Sequence, residues 1–195
     1  MTTPGSRWIP ALLGALLLTA GCTTGEGSAV DVNNGGEFRF EAGTPSGEVI
    51  PVDDRATAPE FSGDLLGGGD FDSADLSGEI VVLNFWGSWC APCRAESPEF
   101  QEVYAEVRDR GVEFVGLNVK DPEQLAQAFV DTQGIEFPSV FDPRGEVALA
   151  FRDFPANAIP STIVLDREYR VAAVYTARIP QEDLRTVLDR LLEEG

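Results

Sequence analysis

From residue 80 onward, apolar positions fall in short blocks whose period switches between that of a strand and that of a helix. Ile80-Val81-Val82-Leu83-Asn84-Phe85-Trp86 is a nearly unbroken apolar run, which suits a central strand covered on both faces. Phe100, Val103, Tyr104 and Val107 then fall at i, i+3, i+4 and i+7, predicting a one-faced helix that ends before Gly111. Val112 to Val119 is the next strand. Asp121 is placed as an N-cap with Pro122 at the first helical position, opening a helix that carries Leu125, Phe129 and Val130 and ends near Gly134. Two short apolar segments, Phe137–Phe141 and Val147–Phe151, flank the turn Asp142-Pro143-Arg144-Gly145. Ser161–Asp166 and Arg170–Tyr175 bracket a tight turn and predict an antiparallel hairpin. A last helix follows Pro180, with Leu184, Val187, Leu188 and Leu191 on one face. This order predicts an α/β domain, a mixed central sheet with helices on both faces.

Upstream the pattern changes. In residues 1–22 Arg7 is the only cation, an apolar stretch runs from Trp8 to Ala20, and small residues follow. That is the pattern of an export leader; the stretch contains Pro10 and is too short to span a bilayer. Thr19-Ala20-Gly21-Cys22 resembles the bacterial lipoprotein processing box, in which the cysteine is acylated and becomes the new N-terminus. Thr19 occupies the slot where that box usually has leucine, and Leu18 stands one place earlier. Lipidation would also account for an odd cysteine, which an exported protein should not leave free; ordinary cleavage nearby would leave Cys22 a stray thiol. Residues 23–58, rich in Gly, Ser, Thr, Asp and Pro, read as a flexible tether. Within it the alternation Glu37-Phe38-Arg39-Phe40-Glu41 fits either tether or a short edge strand. The folded domain is then 59–195, with Phe61, Leu65 and Leu66 anchoring a lead-in and Gly67-Gly68-Gly69 a loop. No helix follows those glycines, so they do not suit a phosphate cradle.

The chain has 33 acidic and 14 basic residues, a net charge of −19. The acids are scattered, as on a solvated surface. Such a surface argues against nucleic acid and against electrostatic docking on anionic lipid, and at long range it favours basic partners. Histidine is absent and Met1 is the only methionine. This excludes Ser-His and Cys-His catalysis, imidazole zinc sites and histidine or thioether copper chemistry. Three cysteines are too few for a four-thiolate zinc site, and neither metal nor cofactor is expected. A cysteine pair here is either redox-active or a structural disulfide.

That pair is Cys90 and Cys93, in Trp89-Cys90-Ala91-Pro92-Cys93 between the first strand and its helix. Cys90 sits where the helix begins, so unpaired N–H groups and the positive end of the dipole favour its thiolate. Cys93, one turn inside, can close a disulfide while shielded from outside attack. Cys90 is therefore expected to form the mixed disulfide with a partner and Cys93 to resolve it. Pro92 stiffens the turn, and Trp89 is either a partner-contact surface or a packing residue. A static staple is the alternative, but a disulfide closing so short a loop constrains the unfolded chain little.

The stretch Val81 to Pro98, with the later Ile159-Pro160-Ser161-Thr162, resembles the thioredoxin superfamily. Within it the chain resembles the TlpA/ResA group of membrane-tethered, extracytoplasmic thiol-disulfide oxidoreductases. The resemblance covers about residues 59–195 and includes a helix and strand segment, about 121–151, inserted into the thioredoxin fold. It implies that Pro160 is the cis-proline opposite the dithiol, presenting the backbone of Ile159 to an extended substrate. It also implies that Pro98 kinks the redox helix and that Glu96 is the active-site glutamate. Asn84 stands where thioredoxin has a buried aspartate, so Glu96 is the carboxylate left to exchange a proton with Cys93. Its alternative role is a solvated first-turn acid. With Ala91-Pro92 between the cysteines and no cation there, a reducing centre is expected. The group's work implies reduction of exported proteins such as apocytochrome c, with re-reduction by an electron donor in the membrane. The alternatives are a disulfide oxidant or isomerase, a peroxide reductase, and a haem or apocytochrome chaperone that needs the fold without turnover. Protein thiols and disulfides are the expected partners, with no nucleic acid. The chain is expected to be monomeric, held by its lipid to the outer face of the cell membrane or secreted.

Overall fold

In a computed structural model, which describes residues 47–151 and 158–195, eight strands and four α-helices follow in chain order. They are β1 (Glu48–Val49), β2 (Ser62–Asp64), β3 (Asp70–Asp72), β4 (Ile80–Trp86), α1 (Ala91–Val107), β5 (Val112–Val119), α2 (Glu123–Gln133), β6 (Ser139–Asp142), α3 (Glu146–Ala150), β7 (Ser161–Leu165), β8 (Val171–Tyr175) and α4 (Gln181–Glu194). Six strands make one sheet in the order β1-β8-β7-β4-β5-β6. β4, β5 and β6 run parallel, whereas β7 pairs antiparallel with β4, β8 with β7 and β1 with β8. The sheet is mixed, as the apolar pattern predicts.

Every residue of β4 is buried, because its side chains alternate between two covered faces. Ile80 and Val82 pack with Phe100 and Val103 of α1 and with Leu184, Val187, Leu188 and Leu191 of α4. Val81, Leu83 and Phe85 point the other way, against Phe61, Val147, Ala148 and Phe151. Burying side chains of this size contributes about 1.5–3 kcal/mol each, and β4 draws on both layers. Its alternation puts Asn84 on the α1 side of the sheet, beneath the redox helix. At the strand's end Trp86 meets Phe129 of α2, with ring centroids 5.2 Å apart.

Two expectations are corrected, the start of the domain and the cap of α2, and two segments whose type was open gain one. The domain begins earlier than residue 59: β1 joins the sheet edge, Ile50 and Ala58 are buried, and Arg55 is only 8% exposed. Residues 48–58 are thus part of the fold rather than tether. Arg55 binds Asp166 (3.1 Å) and Glu194 (2.7 Å), tying this segment to the β7–β8 turn and to α4. The lead-in is built as a hairpin in which β2 and β3 pair, with Gly67-Gly68-Gly69 in the expected loop between them. Pro122, not Asp121, precedes the first residue of α2, because the Asp121 carboxylate is engaged elsewhere. Val147–Ala150 lies in helix α3, where Asp142 accepts from the amides of Glu146 (2.7 Å) and Val147 (2.9 Å). The leader, Cys22 and the Glu37–Glu41 alternation lie outside the described residues. Among the described residues no helix is long and apolar enough to cross a membrane.

Candidate active site

The site is assembled where β4 stops. Gly87-Ser88-Trp89 turns the chain, and Cys90 becomes the N-cap of α1, its amide donating to the Gly87 carbonyl (3.0 Å). Gly87 has a local reason to be glycine, because a Cβ there would lie 2.7 Å from the indole nitrogen of Trp89. Cys90 and Cys93 form a disulfide with Cα atoms 5.3 Å apart. The Cys90 sulfur also accepts from the Cys93 amide at 3.2 Å, one of the donors a helix start leaves unpaired. Cys90 is 4% exposed and Cys93 is 0%. The asymmetry matches an attacking and a resolving sulfur. Pro92 is exposed in the first turn, and Pro98 lies inside α1.

Glu96, three residues beyond Cys93, turns inward and is 0% exposed. The solvated first-turn alternative is therefore wrong for this side chain. Its Oε1 accepts from Nδ2 of Asn84 at 3.1 Å, and the same amide approaches Thr162 Oγ1 at 3.3 Å. Burial pushes the Glu96 carboxyl up to about 7. The Asn84 bond, the Ile179 amide and the charge of Arg178 oppose that rise, and the charge of Glu99 adds to it. Asn84 therefore orients the acid that its own amide side chain cannot replace. A carboxyl held near neutrality one helical turn from a resolving cysteine is able to take or return that cysteine's proton.

The peptide bond Ile159–Pro160 is cis. Pro160 is buried, and Ile159 packs against the buried cluster made by Trp86, Cys90, Cys93 and Ala126. The two motifs, 66 residues apart between Cys93 and Ile159, thus meet through the antiparallel pairing of β7 with β4, in which Thr162 faces Asn84. Trp89 is the exposed member of the site at 56%. Its Nε1 donates to the Lys120 carbonyl at 3.0 Å, so it is anchored at one end and open at the other, which suits a contact surface more than core packing.

Two features carry no sequence signal. The Asp121 carboxylate is buried and accepts from the Ser88 amide (2.5 Å), the Ser88 hydroxyl (2.8 Å) and Asn118 Nδ2 (3.0 Å). It locks the turn that presents Cys90 to the end of β5. Lys120, with φ 52°, holds a left-handed backbone that a lysine rarely adopts. Neither is visible from local pattern, since Ser88 lies 33 residues from Asp121 and Trp89 31 from Lys120.

The AhpC/TSA family model matches residues 55–174. The thiol-disulfide oxidoreductase ResA of Geobacillus thermodenitrificans is 33% identical over 136 residues, 70% of this chain and 76% of that protein. ResA of Bacillus subtilis is 32% identical over 144 residues, 74% of this chain and 78% of that one. Among solved structures, a DsbF homologue from Corynebacterium diphtheriae superposes with a TM-score of 0.73 at 39% identity, over 79% of this chain and 98% of its own. A secreted thiol-disulfide isomerase from Corynebacterium glutamicum gives 0.75 at 34%, over 80% and 97%. A thioredoxin-like sheet, a strand-to-helix dithiol and relatives of one activity agree: the chain belongs to the AhpC/TSA family and is a thiol-disulfide oxidoreductase of the ResA kind.

Proposed function

We propose that the chain is an extracytoplasmic disulfide reductase, acting through Cys90 and Cys93 with Glu96 as the proton carrier. The observation that carries the reading is the fully buried Glu96, hydrogen-bonded by Asn84 and raised to about 7 by that burial. In the reduced protein the Cys90 thiolate attacks a substrate disulfide, forming one S–S bond and releasing one substrate thiolate. Glu96 then takes the Cys93 proton. The Cys93 thiolate attacks the Cys90 sulfur, closing the protein disulfide and releasing the second substrate thiolate. Two electrons have passed to the substrate, and the protein rests in the disulfide form seen here.

What surrounds Cys90 supports this direction. Strong oxidants of this fold owe their potential to a stabilised reduced form; here, among the described residues, the Cys90 sulfur accepts one bond, from the Cys93 amide. Ala91-Pro92 adds no cation. Ile159 and Pro160 are proposed to pair with an extended substrate, with Trp89 and Pro92 bordering it. Substrates are taken to be exported proteins, apocytochrome c among them, with a membrane dithiol as donor and no bound cofactor. Export is supported by the leader-like first 22 residues and by the Corynebacterium glutamicum relative, which is described as secreted. Cys22 is proposed as the lipid anchor of a monomer.

The deciding experiment is the Cys90–Cys93 potential, measured by equilibration with thioredoxin and glutathione couples. A value near that of thioredoxin, about −270 mV, supports the reductase. One near that of DsbA, about −120 mV, overturns it in favour of an oxidant or isomerase.

A further inference from the structure

Beside the dithiol lies a groove of about 240 Å³ between Trp89 and Leu149, floored by Val119, Ala148 and Ile159 and rimmed by Lys120 and Arg144. It lies next to the redox centre, because Trp89 precedes Cys90 in the chain and Ile159 packs against the cluster that holds Cys90 and Cys93. Trp89 and Leu149 are two of the four large apolar side chains that stand exposed among the described residues. The volume is below the range of about 300–1,000 Å³ typical of whole small-molecule sites, so it suits one or two side chains rather than a cofactor.

The rim places two cations side by side on an acidic surface. In a chain of net charge −19, Lys120 is the only lysine. Arginines such as Arg55, Arg170 and Arg185 are held by acids, whereas Lys120 has no ion-pair partner among the described residues. Its left-handed backbone, φ 52°, is fixed from both sides: Trp89 Nε1 binds its carbonyl, and Asp121 is clamped to Ser88 and Asn118. Strain of this kind persists where the surroundings impose it. Arg144 faces the same groove, its one acidic partner being the exposed Glu146 at 3.0 Å. The distributed negative charge would repel an acidic partner at a distance. At physiological salt, however, the Debye length is about 8 Å, so a side chain seated in the groove meets Lys120 and Arg144 at closer range than most of the distributed acids.

We propose that this groove selects substrate: an extended polypeptide segment carrying, within a few residues of its reactive cysteine, an apolar side chain for the Trp89–Leu149 cleft and a carboxylate for Lys120 and Arg144. The inference rests on the proposed function only in taking protein cysteines as substrates, and it is independent of the direction of electron flow.

The test uses full-length Cys93→Ser protein, which cannot resolve a mixed disulfide. It is offered three synthetic peptides in equal amounts, each with one cysteine and one leucine and differing only in a Glu, Gln or Lys beside the leucine. Each cysteine is activated as its thionitrobenzoate disulfide. The Cys90 thiolate forms an S–S bond to the peptide sulfur, and the aryl thiolate leaves with the electron pair of the bond that breaks, so there is no net oxidation. Peptide mapping by mass spectrometry counts Cys90 adducts alone. The Glu peptide should be trapped roughly fivefold over Gln, the scale of a good partly exposed ion pair, with Lys last. Adding Lys120→Glu and Arg144→Glu together should invert the order. If that variant fails to fold, Arg144→Glu alone, on an exposed turn, should at least halve the preference. Equal trapping of the three peptides, or an order unchanged by these substitutions, overturns the proposal. A DsbA-like potential would remove the reductase reading and leave the trapping ratio intact.

Discussion

Replacing Glu96 by glutamine removes a charge from the sealed side of the sheet while keeping the shape and an acceptor for Asn84. The native carboxyl titrates near 7 rather than 4.5, because burial penalises the anion more than Asn84, Ile179 and Arg178 compensate it. A raised folded-state value means the native protein holds this proton more tightly than the unfolded chain. Its stabilising contribution is therefore complete below pH 4.5 and is lost as the pH rises through 7. That rise from 4.5 to about 7 corresponds to about 3 kcal/mol, undiscounted for solvent because Glu96 is 0% exposed. Urea unfolding of the oxidised protein, disulfide intact, should show wild type losing stability between pH 5 and pH 8. Glu96→Gln should lack that component and be the more stable protein by up to about 3 kcal/mol at pH 8. Contributions from carboxylates remote from Glu96 cancel in the difference. The same variant should slow exchange by about a hundredfold, the lower end of general acid–base effects. A gain in stability with a loss of rate is what a destabilised catalytic group predicts. Parallel pH–stability curves for the two proteins would refute the reasoning, since Glu96 would then not change protonation across this range.

Two further substitutions probe the supports of the site. Asp121→Ala leaves the Ser88 amide and the Asn118 side chain without their buried acceptor. It should cost about 2–3 kcal/mol, read by urea unfolding, and slow reaction of Cys90 with an alkylating reagent as the turn before it loosens. Arg55→Ala breaks a pair in which Arg55 is 1% exposed and Asp166 6%. It should cost about 3 kcal/mol, since Arg170 remains to hold Asp166 and the Glu194 partner is 27% exposed. The exchange rate at a temperature where the variant stays folded should not change, because this network lies away from the dithiol.

Much of the architecture was legible because its signals are local. The unbroken apolar run Ile80–Trp86 already states that both faces of that strand are covered, and the four leucine and valine positions of α4 state which side of the helix is buried. The dithiol, its place at a helix start, and Glu96 as a nearby carboxylate were legible for the same reason. The edge of the domain was not. Arg55 in a stretch of Pro, Asp and Thr looks like tether until Asp166 and Glu194, 111 and 139 residues away, are brought to it. Asp121 before a proline has the pattern of a helix cap, and the cap reading fails because Ser88, with two donors, and Asn118, with one, hold the same carboxylate. The short Val147–Ala150 helix is set by Asp142 capping across the turn, a contact that apolar periodicity over five residues does not register.

By itself the amino-acid sequence determined the class of fold, the position and order of the two cysteines, and the absence of any imidazole to do their proton chemistry. Spacing along one chain is enough for each of these. The tertiary structure decided what those residues are worth. Whether Glu96 is a solvated acid or a carboxyl titrating near neutrality depends on Asn84 and Thr162 arriving from two paired strands and on Arg178 and Ile179 reaching it from the segment before α4. Whether Lys120 is one surface cation or the rim of a groove depends on where Trp89, Arg144 and Leu149 come to rest. Burial and electrostatics are sums over neighbours in space, and most of those neighbours are far apart in sequence.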